Sequence, residues 1–508
     1  MKSQVPGGCY YLKDGVRLIQ NAKEGLVLQS APLRVIRVNQ AAMGILEKCR
    51  TGFSVPLDGD EGKLGTLLSF LDTLYDAEIV DWAPPDENYE PLVSIIVPVF
   101  NRAGEIGACL ESLLSLDYPE SKREIIVVDD ASRDHTAAVV RNYDVRLITQ
   151  PLNLGQSAAR NAGVRASKGD IIAFIDSDCI ADPKWLSELP YFHDPRLALI
   201  GGYVDSFFRE SRLDRYEEVH SPLNMGPKRV MSKGKNSGFY VPTCNMLVRK
   251  DIYTLTGGLD TQLRVGEDTD FCWKLMSMGY RLMYVPKGRV KHKHRRRFYQ
   301  SFRRRFDYGT SEAVLYDKYR HVSKQFPWHW EGIFVLLIVL TGLTTRSAIL
   351  LLSALGFLLL EPIHKKLRIK RKFEVMIPLT DIFTANLKHH LLLAYHLGYH
   401  VTRYYLLPVI IVSILIPHAA PPLVGMVTLP VIVEFLQKKP RLSFPVFALF
   451  FWMEQLFYQA GVFHGCLKQG SFRLYRVSFV RPTFFKKKKH PGRSRLKSLF
   501  RKVVDATC

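Results

Sequence analysis

Ile171-Ile172-Ala173-Phe174-Ile175-Asp176-Ser177-Asp178 is an uninterrupted apolar run that stops on two carboxylates one residue apart. A short apolar run of this kind reads as a strand buried on both faces, the habit of a parallel sheet covered by helices. Two aspartates on a turning backbone can hold a hard divalent cation such as Mg²⁺ or Mn²⁺, while phosphate oxygens take the ion's other positions. Acidic triplets also occur in solvated loops, so the neighbours of this one must decide its meaning.

Those neighbours alternate. Leu92 to Phe100 is an apolar run followed by a helical stretch from Gly104 to Leu116; Glu124 to Asp130 is a second strand, with a helix near Asp134 to Tyr143. Val145 to Thr149 is a third strand, and Gly155 to Ser167 is the helix leading to Ile171. Strands alternating with helices imply βαβ units, right-handed crossovers and a mostly parallel sheet. Ligands bind such a sheet at the carboxyl ends of its strands. Polar residues fall there three times: Asn101-Arg102, Asp129-Asp130, and Asp176 with Asp178. As turn formers and caps they would be unremarkable singly, but together they mark one edge as a shared site.

The runs Val93 to Asn101, Val127-Val128-Asp129-Asp130-Ala131-Ser132, Asn153-Leu154-Gly155 with Ala159-Arg160-Asn161, and Asp176-Ser177-Asp178, completed by Gly266-Glu267-Asp268 with Asp270, resemble the family 2 glycosyltransferases. The resemblance implies an α/β fold of the GT-A type, a Rossmann-like domain for nucleoside-diphosphate sugars, and transfer of one sugar with inversion. It implies that Pro98 and Asp130 line the nucleobase pocket with Arg160 nearby, that Asp176 faces the ribose, that Asp178 holds the metal, and that Asp268 is the general base. Inversion needs a carboxylate on the face opposite the leaving group to take the acceptor's proton. The cation neutralises the departing diphosphate. Asp268 also reads as a cap for a helix over Phe271 to Met278, and the two roles are compatible.

At 508 residues and 47% hydrophobic content the chain exceeds one ordinary domain. Its eight cysteines show no paired spacing, which argues against a disulfide framework or a zinc site and fits a reducing compartment. No charged head followed by an apolar core opens the sequence, so a secretory signal is not expected. The net charge of +22 is concentrated late, in Lys291 to Arg305, Lys365 to Lys372, Lys438 to Arg441 and Lys486 to Lys489. Such charge first suggests nucleic acid. Apolar runs between the clusters, Ile333 to Leu360, Leu406 to Ile416, Leu423 to Leu436 and Phe444 to Phe463, favour a membrane surface instead. A span needs about 20 apolar residues. Arg346, Glu434, Glu454 and the prolines at 417, 421 and 422 interrupt these runs, and basic flanks favour hairpins or interfacial helices returning to the cytoplasmic face.

The expected segments are therefore a small module over 1–85, a transferase domain over 86–320, an apolar helical membrane-associated region over 321–480 and a basic tail over 481–508. In the first, Val16 to Gln20, Gly25 to Gln29 and Leu33 to Val38 read as strands, Asn39 opens a helix, and a second helix covers Lys63 to Asp76; Pro84 to Asn88 is a linker. This α+β order resembles winged-helix modules that hold precursor peptides, and equally suits a stabilising cap. Leu26 to Asn39 before the transferase domain, with Arg305-Phe306-Asp307-Tyr308-Gly309-Thr310-Ser311 after it, resembles the mycofactocin-system glycosyltransferases. That resemblance implies a peptide-derived acceptor, formed from a carboxyl-terminal Val-Tyr, and glucose as the sugar. A family 2 transferase acting on a lipid or polysaccharide stays open, although the Q-x-x-R-W signature of processive synthases is missing after the base. A non-catalytic peptide-binding scaffold is disfavoured by the intact Asp130, Asp178 and Asp268.

Overall fold

The computed structural model describes residues 8–20, 25–30, 33–56, 61–85, 89–232 and 234–480. The linker positions 86–88 and the basic tail with Lys486 to Lys489 lie outside them. The chain divides into two compact units, and neither is one stretch of sequence: 1–86, 325–433 and 478–508 form one, 87–324 and 434–477 the other.

The elements of the first segment are β1 (Cys9–Leu12), β2 (Val16–Gln20), β3 (Gly25–Ser30), β4 (Leu33–Val38), α1 (Gln40–Lys48), β5 (Phe53–Ser54), α2 (Glu61–Asp76) and β6 (Val80–Ala83). β2, β3 and β4 form an antiparallel sheet, and β1 pairs between β5 and β6. Asn39 accepts the Ala42 amide at 2.8 Å, the side-chain cap that starts α1.

The larger unit, built on one nine-stranded sheet, begins with β7 (Val93–Val99), α3 (Ile106–Leu114), β8 (Arg123–Asp129), α4 (Thr136–Val140), β9 (Arg146–Thr149), α5 (Gln156–Ala166) and β10 (Ile171–Phe174). It continues through β11 (Cys179–Ala181), β12 (Leu197–Ser206), α6 (Arg212–His220), β13 (Val230–Met231), β14 (Met246–Arg249), α7 (Lys250–Leu255), α8 (Glu267–Ser277), β15 (Arg281–His292) and α9 (Phe298–Lys318). The strand order is β11-β15-β12-β14-β10-β7-β8-β9, with β13 on β15. β10, β7, β8 and β9 are parallel, as the alternating pattern predicts. β14 runs antiparallel to both β10 and β12, so the whole sheet is mixed rather than mostly parallel. A strand buried on both faces has the same apolar pattern in either direction, which is why the reversal is silent in sequence.

The chain leaves β7 outward to β8 and β9, then returns to lay β10 on the other side of β7. That reversal makes the crevice at the carboxyl ends of β7 and β10 the natural ligand site. Helices α5 and α8 cover the sheet; Ile96, Ile126, Val128 and Phe174 meet Phe271, Trp273 and Leu275 in one core. α5 lies so close that a β-carbon on Gly163 would meet Ile96 at 2.5 Å.

The carboxyl-terminal helices are α10 (Trp330–Thr345), α11 (Ala348–Phe373), α12 (Leu379–Leu415), α13 (Ala420–Lys438) and α14 (Phe444–Gln469). Among the described residues four helices are long and apolar enough to cross a membrane, over 348–373, 379–415, 417–438 and 444–469. Arg346, at φ 53, ends α10, and Ser347 caps the returning α11, so the break at Thr344 to Arg346 is a hairpin tip. α12 kinks at Tyr405, three residues before Pro408, whose ring cannot follow a regular helix. The basic half of α11 docks the first module: Leu26, Leu28, Leu33 and Val35 pack with Ile369, Phe373, Ile377 and Ile382.

α14 instead belongs with the larger unit, although its composition matches its apolar neighbours. Gly461 and Gly465 face the α9 backbone at Phe306 and Thr310, and Gly309 faces Tyr458, so the two helices touch without side chains between them. The acidic interruption at Glu454 is buried there, accepting from Tyr216 at 2.8 Å and lying 3.8 Å from Arg305.

Candidate active site

The edge is built by two strained turns. Asn101 after β7 and Ala131 after β8 adopt left-handed backbone at φ 52 and φ 60, which side-chain-bearing residues enter only when the surroundings hold them. Here each loop holds the other: the Asn101 amide donates to Ser132 Oγ at 2.9 Å, and its side-chain oxygen accepts the Arg133 amide at 2.8 Å.

Asp130 is buried, and its two oxygens accept the amides of Leu154 at 2.9 Å and Gly155 at 2.8 Å. Gly155, at φ 91, is the N-cap of α5, so this carboxylate fixes where that helix starts. One turn on, α5 delivers Arg160. Its buried guanidinium donates to Asp176 at 2.5 Å and to Glu267 at 3.2 Å, and Gln156 donates to the same Glu267 oxygen at 2.6 Å. Arg160 thus ties the end of β10 to the first turn of α8. Pro98 is buried one residue before the end of β7, opposite Val128.

α8 begins on Gly266 at φ 84, and its first turn carries Glu267, Asp268 and Asp270. Two of these carboxylates are engaged by cations. Glu267 takes Arg160, and Asp270 takes Lys318 at 2.7 Å and the Tyr319 hydroxyl at 3.0 Å. Asp268 accepts from its neighbour Thr269 at 2.6 Å. Burial raises both Glu267 and Asp268; Glu267 reaches about 7, with the Asp268 charge adding to burial against the pull of Arg160. Gly266 is the N-cap, so the capping position open to Asp268 in sequence falls to a glycine two residues earlier.

Asp178 closes the site on the other side. Its carboxylate lies 3.6 Å from His292 Nε2 and 3.8 Å from Arg102, and the ligand atoms of Asp178, Cys179 and His292 lie within 4.8 Å of one another. Burial pushes the Cys179 thiol well up, which disfavours the thiolate that a metal would take. A carboxylate oxygen and an imidazole nitrogen remain; the carboxylate suits Mn²⁺ or Mg²⁺ with phosphate oxygens completing the shell, and the imidazole favours the softer Mn²⁺.

The basic run resolves into three different jobs. Arg303 is exposed and lies 3.6 Å from Asp307; Arg305 is buried against Glu217 at 2.8 Å. Arg304 stacks 5.0 Å over Tyr308, and its buried Nε has no partner among the described residues. Three consecutive helical positions point about 100° apart, so one of the three can face the site while its neighbours do not. His292 belongs to a basic run whose family resemblance places it near the diphosphate or acceptor, but it is 114 positions from Asp178 and no local signal pairs the two.

A mixed α/β sheet with a carboxylate-lined crevice at its switch point, a DxD turn and an acidic helix start define a GT-A type transferase domain. Residues 94–256 match the family model for glycosyl transferase family 2. The chain is 30% identical over 339 residues, 65% of its own length and 68% of the other, to the pre-mycofactocin glycosyltransferase of Mycobacterium tuberculosis. The chain therefore belongs to the family 2 glycosyltransferases. It is also 32% identical over 203 residues to glycosyltransferase AglE of Haloferax volcanii, covering 38% of this chain and 64% of that one. Among solved structures, the mannosyltransferase of Pyrobaculum calidifontis in complex with GDP-Man and Mn²⁺ aligns with 22% identity and a TM-score of 0.38 over 51% of this chain and 72% of that one.

Proposed function

We propose that this glycosyltransferase moves a hexose, glucose from UDP-glucose, onto a hydroxyl of a peptide-derived mycofactocin precursor with inversion, at the cytoplasmic face of the cell membrane. One observation carries the acceptor. The likeness to the pre-mycofactocin enzyme runs over 339 residues, about twice the length of the segment 94–256 that defines the family, whereas the archaeal relative matches over 203.

In this reading Asp268 takes the proton of the acceptor hydroxyl as it attacks the anomeric carbon. Asp268 suits the task because Glu267 and Asp270 are held by Arg160 and by Lys318 with Tyr319. A carboxylate raised by burial is also a stronger base once ionised. Asp176 meets the ribose while Arg160 fixes its orientation; Pro98 and the loop capped by Asp130 bound the base. Asp178 and His292 would hold a divalent cation, which when bound neutralises the leaving diphosphate. Arg304 and Arg102 add positive charge on the same side. The winged-helix-like module over residues 8–85 is the candidate for holding the peptide-derived acceptor.

The test is product analysis: detergent-purified protein, UDP-glucose, Mn²⁺ and a synthetic Val-Tyr-derived acceptor should yield the acceptor with the mass of one or more hexoses added. Label appearing in a lipid extract instead, with the acceptor unchanged, would favour the second reading, a lipid or polysaccharide acceptor. The four long apolar helices are the observation behind that alternative.

A further inference from the structure

The segment that carries His292 toward Asp178 is not held by the sheet alone. β15 ends at His292, and the next five residues cross to α9 without regular structure. Two of them are gripped from α6. His294 Nε2 lies 3.0 Å from Asp214 Oδ1, and Arg296 donates to Asp214 Oδ2 at 3.1 Å. His294 Nδ1 is 3.1 Å from Ser206 Oγ, and Arg296 stacks 4.6 Å over Phe208. Asp214 has no solvent exposure, and it also accepts the Ser211 amide at 2.9 Å in the capping box that starts α6. Burial alone would raise this carboxyl; the bonds from Ser211, His294 and Arg296 outweigh burial and bring it down to about 2. Between the gripped residues sits Arg295, on which the charges of Arg304, Asp178 and Arg102 act, and the Lys293 amide donates to the Asp178 carbonyl at 2.9 Å.

We propose that Asp214 is a positioning residue for the donor diphosphate: by clamping His294 and Arg296 it sets the 292–297 segment so that His292 and Arg295 face Asp178. The inference rests on the nucleotide-sugar reading of that site. Asp214 touches no reacting atom. It acts through the loop, as a capping carboxylate whose charge is shared between its own helix and a strand end needed in one place.

The experiment is calorimetric titration of the full-length protein in detergent with UDP, with and without MnCl₂. Asp214→Asn keeps an oxygen for the Ser211 amide and loses the charge that holds Arg296 and accepts from His294. Its UDP affinity in Mn²⁺ should fall about tenfold, with metal-free affinity and thermal midpoint little changed. Asp214→Asn combined with Arg296→Gln should be no weaker than the first change alone, because both remove one clamp. Glu210→Gln, at an exposed carboxylate 3.2 Å from the same Arg296 nitrogen, should bind as wild type. If Asp214→Asn does not fold, Ser206→Ala removes the other anchor of His294 and should shift Mn²⁺-dependent affinity the same way, by less. Unchanged Mn²⁺-dependent affinity, or an equal loss with and without metal, overturns the clamp while leaving the nucleotide site standing. Wild-type protein that binds no UDP in Mn²⁺ overturns that site and the clamp together.

Discussion

Asp268 and Glu267 are adjacent carboxylates in opposite circumstances: Arg160 locks Glu267, while Asp268 accepts only from Thr269 among the described residues. Asp268→Asn should therefore lower kcat by about 10² to 10⁴ with donor affinity nearly unchanged, since a base acts on a proton that moves only in the transition state. Donor binding that falls in proportion to rate would assign Asp268 to the fold instead. Asp178→Ala should abolish the Mn²⁺-dependent part of UDP binding and leave the metal-free part, measured by titration; a mutant with wild-type metal dependence would move the cation elsewhere. Glu267 gives a pH prediction. Its carboxyl is raised from 4.5 to about 7 in the folded protein, so its contribution to stability is complete below 4.5 and lost as pH rises through 7. The loss is on the order of 1–3 kcal/mol. The thermal midpoint should decline between about pH 4.5 and 7, and Glu267→Gln should flatten that decline; an equally steep mutant curve would place the titration in another group.

At the scale of elements, α14 packs one stripe against the catalytic unit while remaining long and apolar enough to cross a membrane. Phe444 to Phe463 reads as a membrane segment, and Phe447, Phe451, Glu454, Tyr458, Gly461 and Gly465 recur at helical spacing on one buried stripe. Leu449, Phe463 and Leu467 occupy the exposed remainder. A β-carbon on Gly461 would run into the Phe306 carbonyl, a backbone atom that cannot rotate away. Gly461→Val in the full-length chain should destabilise the catalytic unit by about 3 kcal/mol, at the upper end of overpacking costs. Gly425→Val in α13, where a β-carbon meets nothing within 4 Å, is the control. Equal melting of the two variants would mean that the α9–α14 seam does not hold the unit together. For the same reason a chain cut after Tyr319 should aggregate rather than yield a soluble transferase, since the cut strips the apolar stripe and the Glu454 partner from α9.

For the whole molecule, the charge of +22 and the four long apolar helices make membrane attachment the expectation to test. α11 changes from apolar over 348–360 to basic from His364 onward, within one continuous helix. Basic residues at such a boundary gain roughly 1 kcal/mol each from anionic lipid. Full-length protein should sediment with membranes, and Lys370→Gln with Arg371→Gln should weaken binding to anionic vesicles by about tenfold while leaving turnover in detergent intact. Retention in the high-speed supernatant without detergent would refute membrane attachment.

The sequence by itself determined what is local in the chain. Strand and helix periods placed β7 to β10 and α3 to α5 within a few residues, turn chemistry put Asp130, Asp176 and Asp178 at strand ends, and Asn39 marked a helix start. Each of these depends on contacts between near neighbours, which a period or a cap records directly. Tertiary structure decided the rest. The antiparallel insertion of β14, the meeting of Asp178 with His292, the ion pairs that hold Glu267 to Arg160 and Asp270 to Lys318, and the packing of α14 on α9 all join residues tens to hundreds of positions apart. An apolar residue carries the same pattern against a sheet, a glycine seam or a lipid tail, so only the partner that packs on it distinguishes them.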